Sequence, residues 1–152
     1  MEKGKYNILN FKLYYIIQGK HMKNKQDKMI DLGINNALIQ QMLLDNKDKI
    51  VGYIRIAKYQ DNEKEIQRQE NTIIDFCKQF NVDCKHIYID NGFSGLDFNR
   101  PGIKEILNKK EKMVLIMFSI CRLTRSYELM QDFIKNTNIS VISINDGFII
   151  KK

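Results

Sequence analysis

Apolar residues in this chain form two kinds of pattern, near-continuous runs and helical stripes, and from residue 50 onward the two alternate. Ile50-Val-Gly-Tyr-Ile-Arg-Ile56 reads as a buried strand. From Glu63 to Phe80, the residues Ile66, Ile73, Ile74, Cys77 and Phe80 fall on one helical face. His86 to Ile89 reads as a second strand, closed by the Asp90-Asn-Gly turn signal. Pro101 suits the first turn of a helix running to about Lys109, with Ile103, Ile106 and Leu107 inward. Val114 to Ile120 predicts a third strand and Ile139 to Ile144 a fourth. Between them Leu129, Met130, Phe133 and Ile134 mark another helix.

Apolar strands that alternate with helices predict an α/β fold, a mainly parallel sheet flanked by helices. In such sheets functional groups collect beyond the carboxyl ends of the strands. That rule selects three segments, Arg55 to Lys58, Asp90 to Gly95 and Cys121 to Arg125, and predicts that they converge. Residues 1–49 differ in character, being polar, Lys-rich and Asn/Gln-rich, and are expected to form a helical N-terminal extension ahead of a domain over 50–152. Within the extension, a helix after Asp27, a Leu-Gly-Ile turn and a second helix from near Asn35 would make a helix-turn-helix. A helical arm packing on the domain fits the same residues.

Length and composition narrow the class. The 152 residues suit one domain, and 43% hydrophobic with 28% charged residues is ordinary globular usage. The longest apolar run, Met113 to Cys121, is too short to cross a bilayer, and the patch Leu13 to Ile17 is followed by no small-residue cleavage site. No membrane partner is expected. Cys77, Cys84 and Cys121 have no C-x-x-C spacing, and His21 and His86 lie far from any cysteine pattern. We therefore expect no metal, no cofactor and no disulfide framework, and a reducing cytoplasmic setting. A net charge of +7 suits a polyanionic partner without fixing one.

The distribution of that charge is more informative than its sum. The chain has 20 lysines and five arginines, Arg55, Arg68, Arg100, Arg122 and Arg125. Lysine serves solubility, whereas the planar guanidinium holds two phosphate oxygens and stays protonated. Four of the five, all but Arg68, lie at or near the selected strand ends. Convergent guanidiniums at the mouth of a parallel sheet would suit a phosphodiester and its transition state.

The same residues resemble the serine recombinases, the family of DNA resolvases and invertases. Tyr53-Ile-Arg-Ile-Ala57 is similar to the family's Tyr-x-Arg-Val-Ser strand, and Ile66-Gln-Arg-Gln69 to a segment carrying an active-site glutamine. Tyr88-Ile-Asp-Asn-Gly-Phe-Ser-Gly95 resembles the D-x-G-x-S-G turn, Asn99-Arg-Pro-Gly102 the R-P-G helix start, and Cys121-Arg-Leu-Thr-Arg-Ser126 the D-R-L-x-R-S segment. The likeness spans about residues 50–147 in order and spacing. It implies metal-free phosphoryl transfer on duplex DNA, in which a serine forms a 5′-phosphoserine link within a synaptic tetramer. By that resemblance Arg55, Arg122 and Arg125 would hold the scissile phosphate and Arg100 would support them. Asp90 and Gln69 would orient side chains, and Ser94 would add a hydroxyl, although Ser-Gly is also ordinary turn chemistry.

Two positions depart from the family pattern. Ala57 stands where the nucleophilic serine is expected, and a methyl group cannot attack phosphorus. Loss of a nucleophile costs on the order of a millionfold in rate in a well-studied hydrolase. Cys121 replaces the acidic residue before the third segment's first arginine. The sequence also stops at Lys152, short of the family's long helix and C-terminal DNA-binding module, so the domain is expected to be C-terminally truncated. Three functions remain in view. One is a site-specific recombinase domain from a mobile or integrating element, impaired at Ala57. Another is a non-catalytic DNA-binding regulator or inactive subunit, homo-oligomeric or joined to a full-length recombinase. The third is a vestigial fold without a nucleic-acid role.

Overall fold

The computed structural model describes residues 37–59, 62–150 and 152. Residues 37–45 form a helix, α1, that leads through a turn into β1 (Ile50–Ile56). There follow α2 (Glu63–Gln79), β2 (His86–Asn91), α3 (Pro101–Lys109), β3 (Met113–Met117), a 3₁₀ turn (Ile120–Arg122), α4 (Tyr127–Asn136), β4 (Ile139–Ser143) and β5 (Phe148–Ile150). The sheet order is β2-β1-β3-β4-β5. The first four strands pair in parallel and β5 pairs antiparallel to β4.

Alternation along each strand divides the core in two. Val51, Tyr53, Leu115, Met117 and Val141 face one side, where Ile103 and Ile106 of α3 and Met130 and Phe133 of α4 cover them. Ile50, Ile54, Ile56, Val114, Ile116 and Ile142 face the other, under Ile73 and Cys77 of α2 and Ile39, Met42 and Leu43 of α1. A strand covered on both faces has no solvent side, which is why β1, β3 and β4 read as continuous apolar runs. Gly52 lets α2 approach β1 closely, since a Cβ there would lie 3.2 Å from Ile73 Cγ2. Helix α1 is thus part of the same core as the sheet. The first helix and the turn of the expected helix-turn-helix lie outside the described residues.

Three expectations about the strands change. The third strand was expected to reach Ile120, but it ends at Met117 and the chain turns. The cause is remote in sequence. One oxygen of Asp146 accepts hydrogen bonds from Ser119 Oγ (3.0 Å), Ile120 N (2.9 Å) and Ser143 Oγ (2.6 Å), pulling the chain off the sheet into the 3₁₀ turn. The second strand, conversely, runs through Asp90 to Asn91 before turning at Gly92. Strand β5 was not expected, although Asn145-Asp146-Gly147 between two apolar runs is a hairpin signal.

Among the described residues no helix is long and apolar enough to cross a membrane. Likewise, no group of three or more His, Cys, Asp or Glu side chains among them could hold a metal ion. All three cysteines are free thiols.

Candidate functional site

The carboxyl ends of β1, β2 and β3 meet, as the topology requires of neighbouring parallel strands. Arg55, the sixth residue of β1, is 1% exposed and reaches across to both other segments. It donates from Nη1 to Phe93 O (3.0 Å), from Nε to Arg122 O (2.9 Å) and from Nη2 to Cys121 O (2.6 Å). One guanidinium therefore ties the β2 loop to the 3₁₀ turn. Burial, with Arg100 beside it, pulls its pKa below the ordinary arginine value.

Arg100 has the second buried guanidinium. It is fully enclosed and donates to Asp97 O (3.0 Å), Tyr53 Oη (2.7 Å), Arg122 O (3.2 Å) and Leu123 O. Tyr53 in turn donates to Asp90 Oδ2 (2.7 Å), and burial pushes its phenol pKa well up. Asp90 completes the chain by accepting from Gly102 N (2.7 Å) and Ile103 N (3.1 Å), the first turn of α3. A carboxylate at a helix N-terminus satisfies amides that have no partner within the helix. Gly102 permits this close approach, since a Cβ there would lie 3.0 Å from Asp90 Oδ2. Nothing local to Tyr53 marks this bridging role, which depends on residues 37 and 47 positions away.

The outer shell of the site is open. Arg122 is partly exposed and donates from Nη1 to Arg55 O (3.3 Å), while its Nε is buried without an acceptor. Arg125 is exposed, its amide bonded to Gly95 O (2.7 Å), and its side chain makes no ion pair among the described residues. Gly95 lies between the two layers. A Cβ at that residue would come within 2.8 Å of Arg55 Nη2 and 3.2 Å of Arg125 Cγ.

Ala57 follows β1 directly and is exposed at this mouth. The preceding carbonyl, Ile56 O, accepts from Gly92 N (2.7 Å) and Phe93 N (3.1 Å), so the β2 turn lies against it. Gly92 has φ of +90° and a Cβ there would clash with Tyr59, so both conformation and space require glycine. Ser94 is exposed and its Oγ accepts from Leu96 N (3.1 Å), a local turn bond that leaves it outside the arginine cluster's hydrogen-bond network.

Helix α2 borders the mouth from the other side. Gln69 is fully buried, donates to Glu65 Oε1 (2.9 Å) and leaves its own Oε1 without a donor. Glu65 also receives both prongs of Arg68, at 2.7 and 2.9 Å, and lies 4.0 Å from Arg122 Nη2. Hydrogen bonds from Arg68 are the main reason the Glu65 carboxyl falls to about 2. The Arg68 guanidinium rests 4.4 Å over the Phe118 ring. Glu65 and Arg68 escaped the strand-end rule because they sit on a helix. Their i,i+3 spacing was the available signal.

Counting charge rather than hydrogen bonds, the centre is uncompensated. The donors of Arg55 and Arg100 go to carbonyls and to the Tyr53 hydroxyl, which carry no net charge. Asp90 reaches Arg100 only through the Tyr53 hydroxyl, and Glu65 is shared between Arg68 and Arg122. Among the described residues no carboxylate forms an ion pair with Arg55 or Arg100.

The model of the resolvase N-terminal domain matches residues 50–152. Solved structures with a similar fold include the N-terminal catalytic domain of TP901-1 integrase, 22% identical with a TM-score of 0.60, covering 66% of this chain and 82% of that one. The C-terminal catalytic domain of ISC1926 TnpA, an IS607-like serine recombinase, is 20% identical with a TM-score of 0.51, covering 62% and 67%. The first open reading frame of transposon ISC1904 from Sulfolobus solfataricus P2 is 22% identical with a TM-score of 0.52, covering 64% and 67%. No curated protein matches the chain. With its sheet order, its arginine-tied strand ends and a family match over residues 50–152, the chain belongs to the resolvase N-terminal domain family and has the serine-recombinase catalytic fold.

Proposed function

We propose that this domain binds a phosphodiester of duplex DNA at the mouth beside Ala57, and that it holds the phosphate without cleaving it. The observation that carries the reading is the uncompensated guanidinium cluster, built by burying Arg55 and Arg100 at the ends of β1, β2 and β3. In this assignment Arg122 and Arg125 touch the phosphate. Arg55 and Arg100 fix the loops that carry them and add long-range attraction. Asp90, through Tyr53 and the start of α3, orients Arg100, and Gln69 orients Glu65. Ala57, at the place where the family resemblance puts the attacking serine, supplies no oxygen for a covalent step.

A domain of this kind fits an inactive subunit or a DNA-binding regulator, as a homo-oligomer or beside a full-length recombinase in the cytoplasm. Arginines each paired to a carboxylate, with no basic channel, would favour the reading without nucleic acid, and among the described residues Arg55 is paired with none.

The test has two stages. The full chain is used to select duplexes from a random pool, and the selected duplex is then offered to the protein and to its Ala57→Ser variant. Enrichment of a sequence, with a covalent protein–DNA adduct from the variant only, is the expected result. Enrichment without any adduct would confine the domain to binding, and no enrichment would remove the DNA reading. For the extension, residues 1–36 are the segment to delete. A cut at residue 49 would also remove Ile39, Met42 and Leu43 from the core.

A further inference from the structure

We infer that Glu65 is a built-in occupant of an anion seat formed by Arg68, Gln69 and Arg122, and that a DNA phosphate must displace it to reach Arg122. The inference rests on the phosphodiester reading above and names the residue that opposes it. Glu65 Oε1 does what a phosphate oxygen would do there. It accepts from Arg68 Nη2 (2.7 Å) and Gln69 Nε2 (2.9 Å), and Arg122 Nη2 lies 4.0 Å away. Gln69 is fully buried, so its amide is fixed in place rather than swinging to find a partner.

The carboxylate fits this seat incompletely. Its two oxygens satisfy the fork of Arg68, at 2.7 and 2.9 Å, which is the bidentate geometry guanidinium favours. They do not satisfy Arg122, whose Nε is buried with no acceptor. The other orphan atom, Gln69 Oε1, belongs to the second group that holds the same carboxylate. Both buried, unpartnered atoms near the mouth thus sit on the groups around Glu65. A buried donor without a partner is costly, and a planar carboxylate has no third oxygen to offer it. A tetrahedral phosphate does. The seat is therefore occupied by a residue that serves Arg68 well and Arg122 poorly.

Displacement is easy because Glu65 and Arg68 are partly exposed, with side-chain exposures of 37% and 49%. An exposed ion pair is weakly held, and its carboxylate can turn into solvent. Glu65 would then weaken binding of a phosphate without blocking it.

Glu65→Gln keeps the shape and removes the charge. Glu63→Gln, in the same first turn of α2, removes the same charge without removing a hydrogen bond or ion pair to Arg68 or Arg122. Inorganic phosphate is titrated into each full chain, read by the side-chain NMR signals of Gln69 and the arginine Nε–H groups. Glu65→Gln is expected to bind phosphate about tenfold more tightly than the unaltered protein, while Glu63→Gln stays within about twofold. Adding Arg68→Gln to Glu65→Gln should remove most of the gain. Equal affinities for the two single variants would overturn the inference. Duplex binding that still depended on Arg122 and Arg125 would then leave the DNA reading standing. A preserved phosphate gain in Glu65→Gln, with no duplex binding by any of the proteins, would support the seat and remove the DNA reading instead.

Discussion

The inner and outer arginines of this domain occupy the same strand ends and do different work. Arg55 and Arg100 are 1% and 0% exposed, and their donors go to the carbonyls of residues 93, 97 and 121–123 and to the Tyr53 hydroxyl. Arg122 and Arg125 reach solvent, and between them make one side-chain hydrogen bond among the described residues. Burying a guanidinium is costly unless every donor is met. Carbonyls meet the donors but leave the charge, so the inner pair builds a rigid frame that is also a source of positive field. The outer pair stands at the edge of that frame, Arg125 exposed and Arg122 beside Glu65. Identical chemistry is divided by depth alone.

The comparison is broken most severely at its inner half. Arg100→Met should lower stability by about 3–5 kcal/mol, since it leaves buried carbonyls and the Tyr53 hydroxyl without a donor. Chemical denaturation would show it, and a loss under about 1 kcal/mol would mean that the frame does not depend on this residue. Gly95→Ala drives a Cβ to 2.8 Å from Arg55 Nη2. About 1–3 kcal/mol of destabilisation is expected, with weaker DNA binding, because the same atom abuts Arg125.

Arg125→Gln addresses the outer half. Its stability should stay within about 0.5 kcal/mol, as for other exposed substitutions. Duplex affinity should fall and the salt dependence of binding should flatten by roughly one counterion, measured by anisotropy over a salt series. A large stability loss with unchanged salt dependence would reverse the assignment of inner and outer roles.

The smallest effect concerns Glu65. Its folded pKa of about 2 lies below the ordinary value of 4.5, so its ion pair stabilises the fold above about pH 4.5. That contribution is lost as pH falls toward 2. Solvent screening should hold it under about 1 kcal/mol. The difference between the acid unfolding curves of the native chain and Glu65→Gln would measure it.

Much of the sheet was legible because its strands are buried on both faces. The run Ile50 to Ile56 carries its own signal, and the observed strand has the same limits. Selecting the segments beyond β1, β2 and β3 needed only the rule for parallel sheets, and the Arg55 bonds to residues 93, 121 and 122 show those segments meeting. The end of β3 was not legible, because Asp146 stops that strand from 26 residues away. The bridge through Tyr53 was likewise hidden, since a tyrosine in an apolar run looks like core until its hydroxyl finds Asp90 and Arg100.

Residue type and spacing, then, settled the order of β1 to β4 with the helices between them, and which arginines stand at the sheet's mouth. These depend on local pattern and on a topology that local pattern implies. Depth was decided by tertiary structure alone. Whether a guanidinium faces carbonyls, a carboxylate or water depends on what the folded chain brings against it. That is why Arg55 and Arg125 look alike in the sequence and differ in the fold, and why Glu65 entered the site only once α2 had docked beside Arg122.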